Sequence, residues 1–417
     1  MIWTDEFLRR IPKTDLHVHL DGSLRLETLI DLSREHSVEL PSYTVEGLKK
    51  MVFKERYRDL VEYLQGFAYT SAVMQTPQAL ERVAYEFAVD NFEEGVRYFE
   101  VRFAPQLHAG TRMDIAGVVS AVERGLSRAR AEFNARPEIR SGLEPPYNYG
   151  IIVCALRMFE AGYSDYYRDL MRIHSYSERS RLFALASLEL ARAAVHLRDE
   201  LGMPITGFDL AGQEAGYPAE AHVEAYDFAH RNFLKKTVHA GEAYGPESIF
   251  QAITDLHADR IGHGYYLLDT AKIRHSEITD RDQYVRALSQ YIADRRVTIE
   301  VCLTSNLQTN PELADISQHA YREMHAQRLS TTFCTDNRTV CNTTVTRELK
   351  LACESFEMSR SDLKNTVIYG FKRSFFPGSY TEKRDYVRSI IDYYTRIEKA
   401  EPLVSPDSRC NSSTEDA

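Results

Sequence analysis

Two histidines lie one residue apart near the start of the chain, in the segment TDLHVHLDGS (14–23). In an extended strand alternate side chains share a face, so His17 and His19 point the same way, opposite to the neighbouring leucine and valine side chains. Buried imidazoles need polar partners because unpaired polar groups are costly to bury, and one metal ion would satisfy both rings. The pair alone leaves a metal site and two ordinary hydrogen-bonded histidines as alternatives.

Three later segments add residues of the same chemical kind. VHAGE (238–242) contains His239 and Glu242, RIGHG (260–264) contains His263, and FCTDN (333–337) contains Asp336 and Asn337. Each polar residue lies at the carboxyl end of an apolar, strand-like run. The predicted metal ligands are His17, His19, His239 and Asp336. Three nitrogens and one carboxylate suit Zn²⁺, although iron or cobalt would accept the same set.

Eight strand-like runs alternate with helical segments. They span 14–20, 96–104, 149–156, 205–211, 236–240, 259–264, 297–303 and 331–336. The spacing of apolar residues predicts helices over 77–95 and 177–202. Strand–helix alternation implies a parallel sheet, and eight units favour an α/β fold closed as a (β/α)8 TIM barrel over a doubly wound open sheet. Barrel enzymes build their sites at the carboxyl ends of the strands, where these polar residues fall.

The segment between the first two strands, residues 22–95, is longer than a crossover requires. Its aromatic and apolar part (53–70) predicts either a helical cap over the site or a plain packing helix. Helical patterning continues after the eighth strand. We therefore predict one metal-dependent barrel domain over residues 1–400, with the 22–95 insertion as a cap and with C-terminal helices, followed by a disordered tail at 401–417.

Composition argues against several classes of function. The net charge is −10 and no basic stripe offsets it, which argues against a binder of nucleic acid or anionic membranes. No apolar run is long enough for a signal peptide or a membrane span, and the 6 cysteines form no CxxC pair. We expect a soluble cytoplasmic protein that binds neither nucleic acid nor membrane. The sequence does not indicate an oligomeric state.

The ordered set of motifs resembles the adenosine deaminase family of the amidohydrolase superfamily. The motifs are TDLHVHLDGS, FDLAGQE, VHAGE, RIGHGY, EVCLTSN and CTDN, joined by EGVRYFEVRFAPQLH and FKRSFF. The resemblance implies one Zn²⁺ per chain on the predicted ligands. It also implies hydrolytic deamination of a small purine nucleoside, adenosine or deoxyadenosine, to inosine and ammonia in purine salvage.

The resemblance further implies roles for individual residues. Metal-bound hydroxide attacks purine C6 while Glu242 protonates N1, a general-acid step that an aromatic amine needs in order to leave. His263 orients the hydroxide, and Asp336 accepts its hydrogen bond. The implied substrate-binding residues are His19, Asp21 toward the ribose 5′ end, Gly212 through its backbone at N3, and Asn337 at N7.

Asn337 departs from the family pattern, which usually has a second aspartate there. An asparagine amide always carries N–H donors, so we predict that it keeps the N7 contact without a raised pKa. Simple structural roles stay open for two residues, Asp21 as a helix cap and Gly212 as a turn residue. Alternative functions are deamination of adenine, a 5′-modified adenosine or aminodeoxyfutalosine, then amide or ester hydrolysis, or an inactive scaffold.

Overall fold

Eight parallel strands form the centre of the computed structural model, which describes residues 3–400. The strands are β1 (Lys13–His19), β2 (Val96–Phe103), β3 (Asn148–Leu156), β4 (Ile205–Ala211), β5 (Lys235–Ala240), β6 (Arg260–His263), β7 (Thr298–Val301) and β8 (Thr331–Phe333). Each one overlaps a strand predicted from the sequence. The predicted disordered tail at 401–417 lies outside the described residues.

The order of the strands distinguishes a barrel from an open sheet. Neighbours pair in sequence order from β1 to β8, whereas a doubly wound sheet reverses direction at a switch point. β1 meets the end of β8 through a parallel bridge between Val18 and Asp336. At this seam His19 N–H donates to the Asp336 carbonyl at 2.7 Å, and Asp336 N–H donates to the His17 carbonyl at 2.8 Å. The prediction of a (β/α)8 barrel is confirmed.

Helices surround the barrel. The α-helices within residues 3–400 are α1 (Asp5–Arg10), α2 (Leu26–Glu35), α3 (Val45–Met51), α4 (Leu60–Leu64), α5 (Phe67–Val73), α6 (Pro77–Glu93), α7 (Ile115–Asn134), α8 (Pro137–Arg140), α9 (Asp165–Ile173), α10 (Arg179–Asp199), α11 (Val223–Arg231), α12 (Pro246–Thr254), α13 (Arg281–Arg295), α14 (Leu303–Thr309), α15 (Tyr321–Ala326), α16 (Val345–Ser355), α17 (Arg360–Arg373) and α18 (Tyr380–Ala400). Within that part of the chain, none of them has the length and hydropathy needed to cross a lipid bilayer.

The two helices predicted from apolar spacing appear as α6 and α10. Thr76 caps α6 by accepting the backbone N–H of Ala79, and Pro77 occupies the first turn, where its missing N–H costs nothing. The helix buries Leu80, Val83 and other apolar residues at helical spacing, and it packs on α7 and β2. α6 is therefore the ordinary crossover helix to β2, and α2 to α5 are the added part of the insertion.

The middle of the barrel contains a buried network of charges. Arg102 donates to Asp209 at 2.9 Å and to Glu300 at 3.0 Å. Arg260 donates to Glu300 at 2.6 Å and also pairs with Glu100. All five side chains are buried, so each charge has lost its water and depends on an oppositely charged partner. This network fixes two carboxylates, those of Asp209 and Glu300, directly beneath the predicted metal site.

Candidate active site

The four predicted metal ligands converge at the carboxyl-terminal rim of the barrel. β1 carries His17 and His19, β5 carries His239, and Asp336 follows β8. The candidate ligand atoms of all four lie within 4.8 Å of one another. The Nε2 atoms of His19 and His239 are 3.1 Å apart. Asp336 Oδ1 lies 3.4 Å from His17 Nε2 and 3.6 Å from His19 Nε2.

The polar atoms at this point fit a tetrahedral metal ion. His17 Nε2 is buried and has no hydrogen-bond partner among the described residues, which is costly for a polar atom unless an ion binds it. Zn²⁺ with bonds of about 2.0–2.1 Å holds its ligand atoms roughly 3.3 Å apart. Three of the distances between ligand atoms, 3.1, 3.4 and 3.6 Å, are close to that spacing, and all four atoms lie within 4.8 Å of one another, so the cluster is compact enough for a small divalent cation.

Two buried carboxylates orient the imidazole rings of this cluster. Glu300 accepts a hydrogen bond from His17 Nδ1 at 2.8 Å, and Asp209 accepts one from His239 Nδ1 at 3.1 Å. A proton on Nδ1 leaves Nε2 as a lone pair that faces the cluster, which is the form that binds a metal. Burial also lowers the pKa of His239 and, more strongly, of His19, which favours the neutral form of these two rings.

Asp336 is held by side chains from two further helices. Ser305, in α14, donates its hydroxyl to Oδ2 at 2.7 Å, and Tyr63, in α4, donates to the same oxygen at 3.3 Å. These two bonds occupy Oδ2 and leave Oδ1 facing the histidines. Asp336 also adopts a φ of 59°, a left-handed conformation that is uncommon for a residue other than glycine. The site thus imposes both the backbone and the side-chain orientation of this ligand.

Glu242 and His263 lie beside the cluster, on one wall of a cavity. The chain turns sharply after β5 at Gly241, where φ is 70° and a Cβ atom would lie 2.5 Å from Ile249 Cδ1. Only glycine fits that turn without strain. The turn brings Glu242 Oε1 to 3.7 Å from His263 Nε2, which is close enough for both to contact one small substrate group.

The environment of Glu242 favours the protonated carboxyl group. Its side chain is 7% exposed, and it forms no ion pair with a lysine or arginine within residues 3–400. Burial, assisted by the Asp336 and Glu214 carboxylates, raises the pKa of Glu242 well above its usual value. Glu242 is therefore not the carboxylate of a surface salt bridge. A carboxyl group with a raised pKa is suited to act as a general acid.

The cavity encloses about 880 Å³ and opens onto the ligand cluster. Its lining includes the four predicted substrate contacts His19, Asp21, Gly212 and Asn337. Asp21 is buried with Oδ1 unpartnered, and burial raises the pKa of this carboxyl to about 7. It does not cap α2, whose N-cap residue is Arg25, so the capping interpretation is wrong. An unpartnered buried oxygen in a cavity wall is available to a ligand.

The insertion after β1 reaches this cavity. Leu60, Tyr63 and Leu64 of α4, with Phe67 of α5, form part of its lining. Tyr63 is buried and contacts Asp336 directly, so this helix contributes to the site and is more than a packing element. Capping of the site by residues 22–95 stays a prediction, which this position supports.

The amide of Asn337 is held on two sides. Its Nδ2 donates to Tyr63 OH at 2.5 Å. Its Oδ1 lies against the backbone of Gly22, where a Cβ atom would be only 1.8 Å away, so only glycine leaves room for the amide. Since Tyr63 accepts one of the two amide hydrogens, the second is available to an acceptor in the cavity.

Comparison with known proteins identifies the family. The family profile described as adenosine deaminase matches residues 12–393. The chain belongs to the adenosine deaminase family. An adenosine deaminase of Mycobacterium ulcerans is 33% identical over 390 residues, which cover 93% of this chain and 96% of that protein. The enzyme is accordingly a hydrolytic deaminase that acts on a C–N bond, in a metal-dependent family.

Solved structures share the fold of this deaminase at low identity. Arabidopsis ADAL in complex with IMP has a TM-score of 0.70 and 23% identity, covering 94% of this chain and 99% of that one. A cog1816 amidohydrolase of Burkholderia ambifaria with bound Zn has a TM-score of 0.73 and 19% identity, covering 96% of each chain. These similarities confirm the barrel architecture.

Several polar residues of the deaminase site were missed by sequence reasoning. They are Tyr63, Asp209, Glu214, Glu300, Ser305 and Asn306. Asp209 and Glu300 had a visible signal, because each is a charged residue inside an apolar strand (GFDLA, TIEV). The others lie in loops or short helices, where no periodicity shows which way a side chain points.

Proposed function

We propose that this enzyme deaminates adenosine to inosine, or deoxyadenosine to deoxyinosine, with release of ammonia and with Zn²⁺ as its metal. One observation carries the proposal: a buried carboxyl group with a raised pKa, Glu242, lies on the wall of the cavity into which the predicted metal ligands converge. Attack at a ring carbon beside a protonated ring nitrogen requires these two features side by side. The adenosine deaminases at 33–34% identity support the nucleoside as substrate.

In this proposal each residue of the site has its own role in the reaction. His17, His19, His239 and Asp336 would hold a divalent metal, which when bound would lower the pKa of a water toward about 7 and so make hydroxide available at neutral pH. Glu242 gives its proton to purine N1, which makes C6 more electrophilic. His263 holds the attacking water oxygen in line with C6. The water oxygen bonds to C6, one of its two protons passes to the amino nitrogen and the other restores the Glu242 carboxyl group, the bond from C6 to the amino nitrogen breaks, and ammonia leaves.

Four residues of the cavity wall position the purine nucleoside in this proposal. Asn337 donates its free amide hydrogen to N7, and the Gly212 backbone contacts N3. Asp21 accepts from the ribose at its 5′ end through the unpartnered Oδ1. His19 lines the same wall beside the reacting carbon. Purine salvage as the pathway and a cytoplasmic location stay predictions.

A second candidate substrate is an adenosine with a 5′ phosphate. The cavity volume of about 880 Å³ lies in the upper part of the range for small-molecule sites, so it has room beyond a nucleoside. Arg112 and Arg168 lie in its lining, and guanidinium groups suit phosphate oxygens. The structural neighbour from Arabidopsis is complexed with IMP, a purine 5′-monophosphate.

A substrate panel tests both candidates. Adenine, adenosine, deoxyadenosine and AMP are each mixed with the purified enzyme, and ammonia release is measured with the metal content of the same sample. We expect the highest kcat/KM for adenosine or deoxyadenosine. Higher kcat/KM for AMP, together with its loss in Arg112→Ala, would transfer the assignment to the nucleotide. No release from any of the four would refute both.

A further inference from the structure

We propose that Asn306 and His319 are positioning residues that fix the tautomer of His263, through a directional chain of hydrogen bonds beginning at the backbone of Tyr321. The inference rests on the proposed function only for the role of His263 in the reaction. The hydrogen bonds themselves are present in the folded protein whether or not that role is correct. It presents His263 to the cavity as a hydrogen-bond donor.

This chain of hydrogen bonds begins at a backbone N–H, which can only donate. The backbone N–H of Tyr321, the first residue of α15, donates to His319 Nδ1 at 3.0 Å. Nδ1 must therefore carry the lone pair, and a neutral His319 carries its hydrogen on Nε2. The ring is neutral because burial lowers the pKa of His319 to about 3.

The next link fixes the orientation of an amide. His319 Nε2 lies 3.1 Å from Asn306 Oδ1, and its hydrogen is donated to that oxygen. The opposite orientation of the amide would place two donors against each other. Asn306 Nδ2 is consequently directed toward His263 Nδ1, at 3.3 Å, and it can only donate. His263 Nδ1 is thus an acceptor, which leaves the hydrogen of this ring on Nε2.

The free end of the chain faces the reaction site. His263 Nε2 lies 3.7 Å from Glu242 Oε1, on the cavity wall. A ring with its hydrogen on Nε2 offers an N–H to the attacking oxygen and cannot remove a proton from it. His263 therefore orients the nucleophile by donating a hydrogen bond, and it does not act as the general base. The opposite tautomer would present a lone pair to the oxygen and lose this contact.

Burial and packing hold Asn306 and His319 in place. Asn306 and His319 are each no more than 2% exposed, and neither lines the cavity. The Tyr265 ring packs edge-on against His319 with centroids 4.9 Å apart. Asn306 belongs to α14, the helix that also carries Ser305, the partner of Asp336. These residues therefore act on catalysis only through others, and their substitution is expected to change kcat more than KM.

Asn306→Asp is the decisive variant. A carboxylate still accepts from His319, but it has no hydrogen to donate, so it favours the His263 tautomer with the hydrogen on Nδ1. We expect kcat to fall about 10²–10³-fold, as for loss of an oriented donor, with KM within about threefold and metal content unchanged. Asn342→Asp is the matched control, because Asn342 is exposed and lies outside the cavity lining, so the same change of amide to carboxylate is made away from the site.

A second pair of variants separates positioning from packing. In His319→Gln a side-chain N–H toward Asn306 is retained, and we expect most of kcat to be kept. In His319→Phe the ring volume is retained and the donor is lost, and we expect kcat to fall with KM unchanged. Equal kcat in these two variants would show that His319 only fills space, and it would overturn the proposal.

A spectroscopic measurement needs neither substrate nor turnover. In protein with nitrogen-15 labelled histidine, the signal of His263 is assigned by its absence in His263→Gln. We expect protonated Nε2 and unprotonated Nδ1 in the wild-type protein, and the reverse in Asn306→Asp. Protonated Nδ1 in the wild type would overturn the inference even if Asn306→Asp fails to fold. Failure of the substrate panel would leave this result unaffected, so the two proposals fail independently.

Discussion

Glu214 holds the loop that carries Glu242. The carboxylate of Glu214 accepts the backbone N–H of Glu242 at 3.1 Å, along with those of Gly241, Ala243 and Tyr244 at 2.6–2.9 Å. It also accepts the hydroxyl of Ser248 at 2.5 Å. Because four consecutive backbone N–H groups donate to one buried carboxylate, the backbone of the loop that carries Glu242 is held in one position. The position of Glu242 therefore depends on a residue of the preceding β4–α11 loop.

Glu214→Gln is predicted to lower turnover by misplacing Glu242. The new amide sets its own N–H groups against backbone donors, and hydrogen bonds to a charged group are each worth about 1.5–3 kcal/mol. We expect kcat to fall about 10- to 100-fold with metal content unchanged, since a small displacement from the productive geometry costs this much. Glu220→Gln, on an exposed residue nearby, is the control. Wild-type kcat in Glu214→Gln would show that the loop needs no such support.

Glu242→Gln is predicted to keep the metal and lose turnover. The amide has nearly the same shape, but it cannot give a proton to N1, and general acid catalysis contributes about 10²–10⁴-fold. Metal analysis and steady-state kinetics on the same preparation check both parts. Near-normal turnover in this variant would show that Glu242 is not the general acid.

His239→Ala is predicted to lose metal and activity together. Three ligands remain, and the Asp209 carboxylate, which accepts from His239 Nδ1 at 3.1 Å, loses its partner. We expect substoichiometric metal after dialysis, and turnover that falls in proportion. His230→Ala, in which an exposed histidine is removed, is expected to retain both. Full metal occupancy in His239→Ala would exclude this histidine from the ligand set.

Asn337 is predicted to recognise purine N7, and a substrate analogue isolates this contact. Asn337→Ala is expected to lower kcat/KM for adenosine about 10-fold or more, since an unpaired acceptor in a closed site costs about 1–3 kcal/mol. With an adenosine analogue that has carbon in place of N7, the same substitution should have little effect. Asn337→Asp serves as a near-isosteric comparison. Unaltered kcat/KM for adenosine in both variants would remove Asn337 from recognition.

Acid is predicted to destabilise the protein through His222. Ser187 donates to the Phe183 carbonyl at 2.9 Å, so its hydroxyl oxygen accepts the hydrogen of His222 Nδ1 at 2.6 Å. Burial, and then the charge of Arg157, lower the pKa of His222 from 6.5 to about 3. The unfolded chain therefore binds the extra proton between these values, and the stability given by the neutral ring is lost as pH falls below 6.5.

The loss at pH 5 from this one histidine is expected to be about 1–2 kcal/mol. His222→Asn keeps an N–H toward Ser187 and does not titrate, so its Tm should fall less than that of the wild type between pH 7 and pH 5. The control His275→Asn, on an exposed histidine, should follow the wild-type slope. Identical slopes for all three proteins would show that His222 does not contribute to acid sensitivity.

The residues predicted to hold the metal could be brought together without a structure. Strand periodicity places His17 and His19 on one face, and the parallel barrel brings the carboxyl ends of its strands together. Residue type then limits the ligands, because few side chains can bind a metal. Chemical type, strand alternation and a closed parallel sheet were sufficient to bring His239 and Asp336 to the same point.

The residues that orient Asp336 and His263 could not be found from residue type and strand alternation. Tyr63 reaches Asp336 from a helix 273 positions away in sequence, and Asn306 reaches His263 across 43 positions. Such contacts depend on loop paths and rotamers, which the packing of the whole chain selects. Strand alternation repeats every two residues and is visible locally. The direction of a side chain in a loop or a short helix has no such repeat, and it is set only when distant elements close around it.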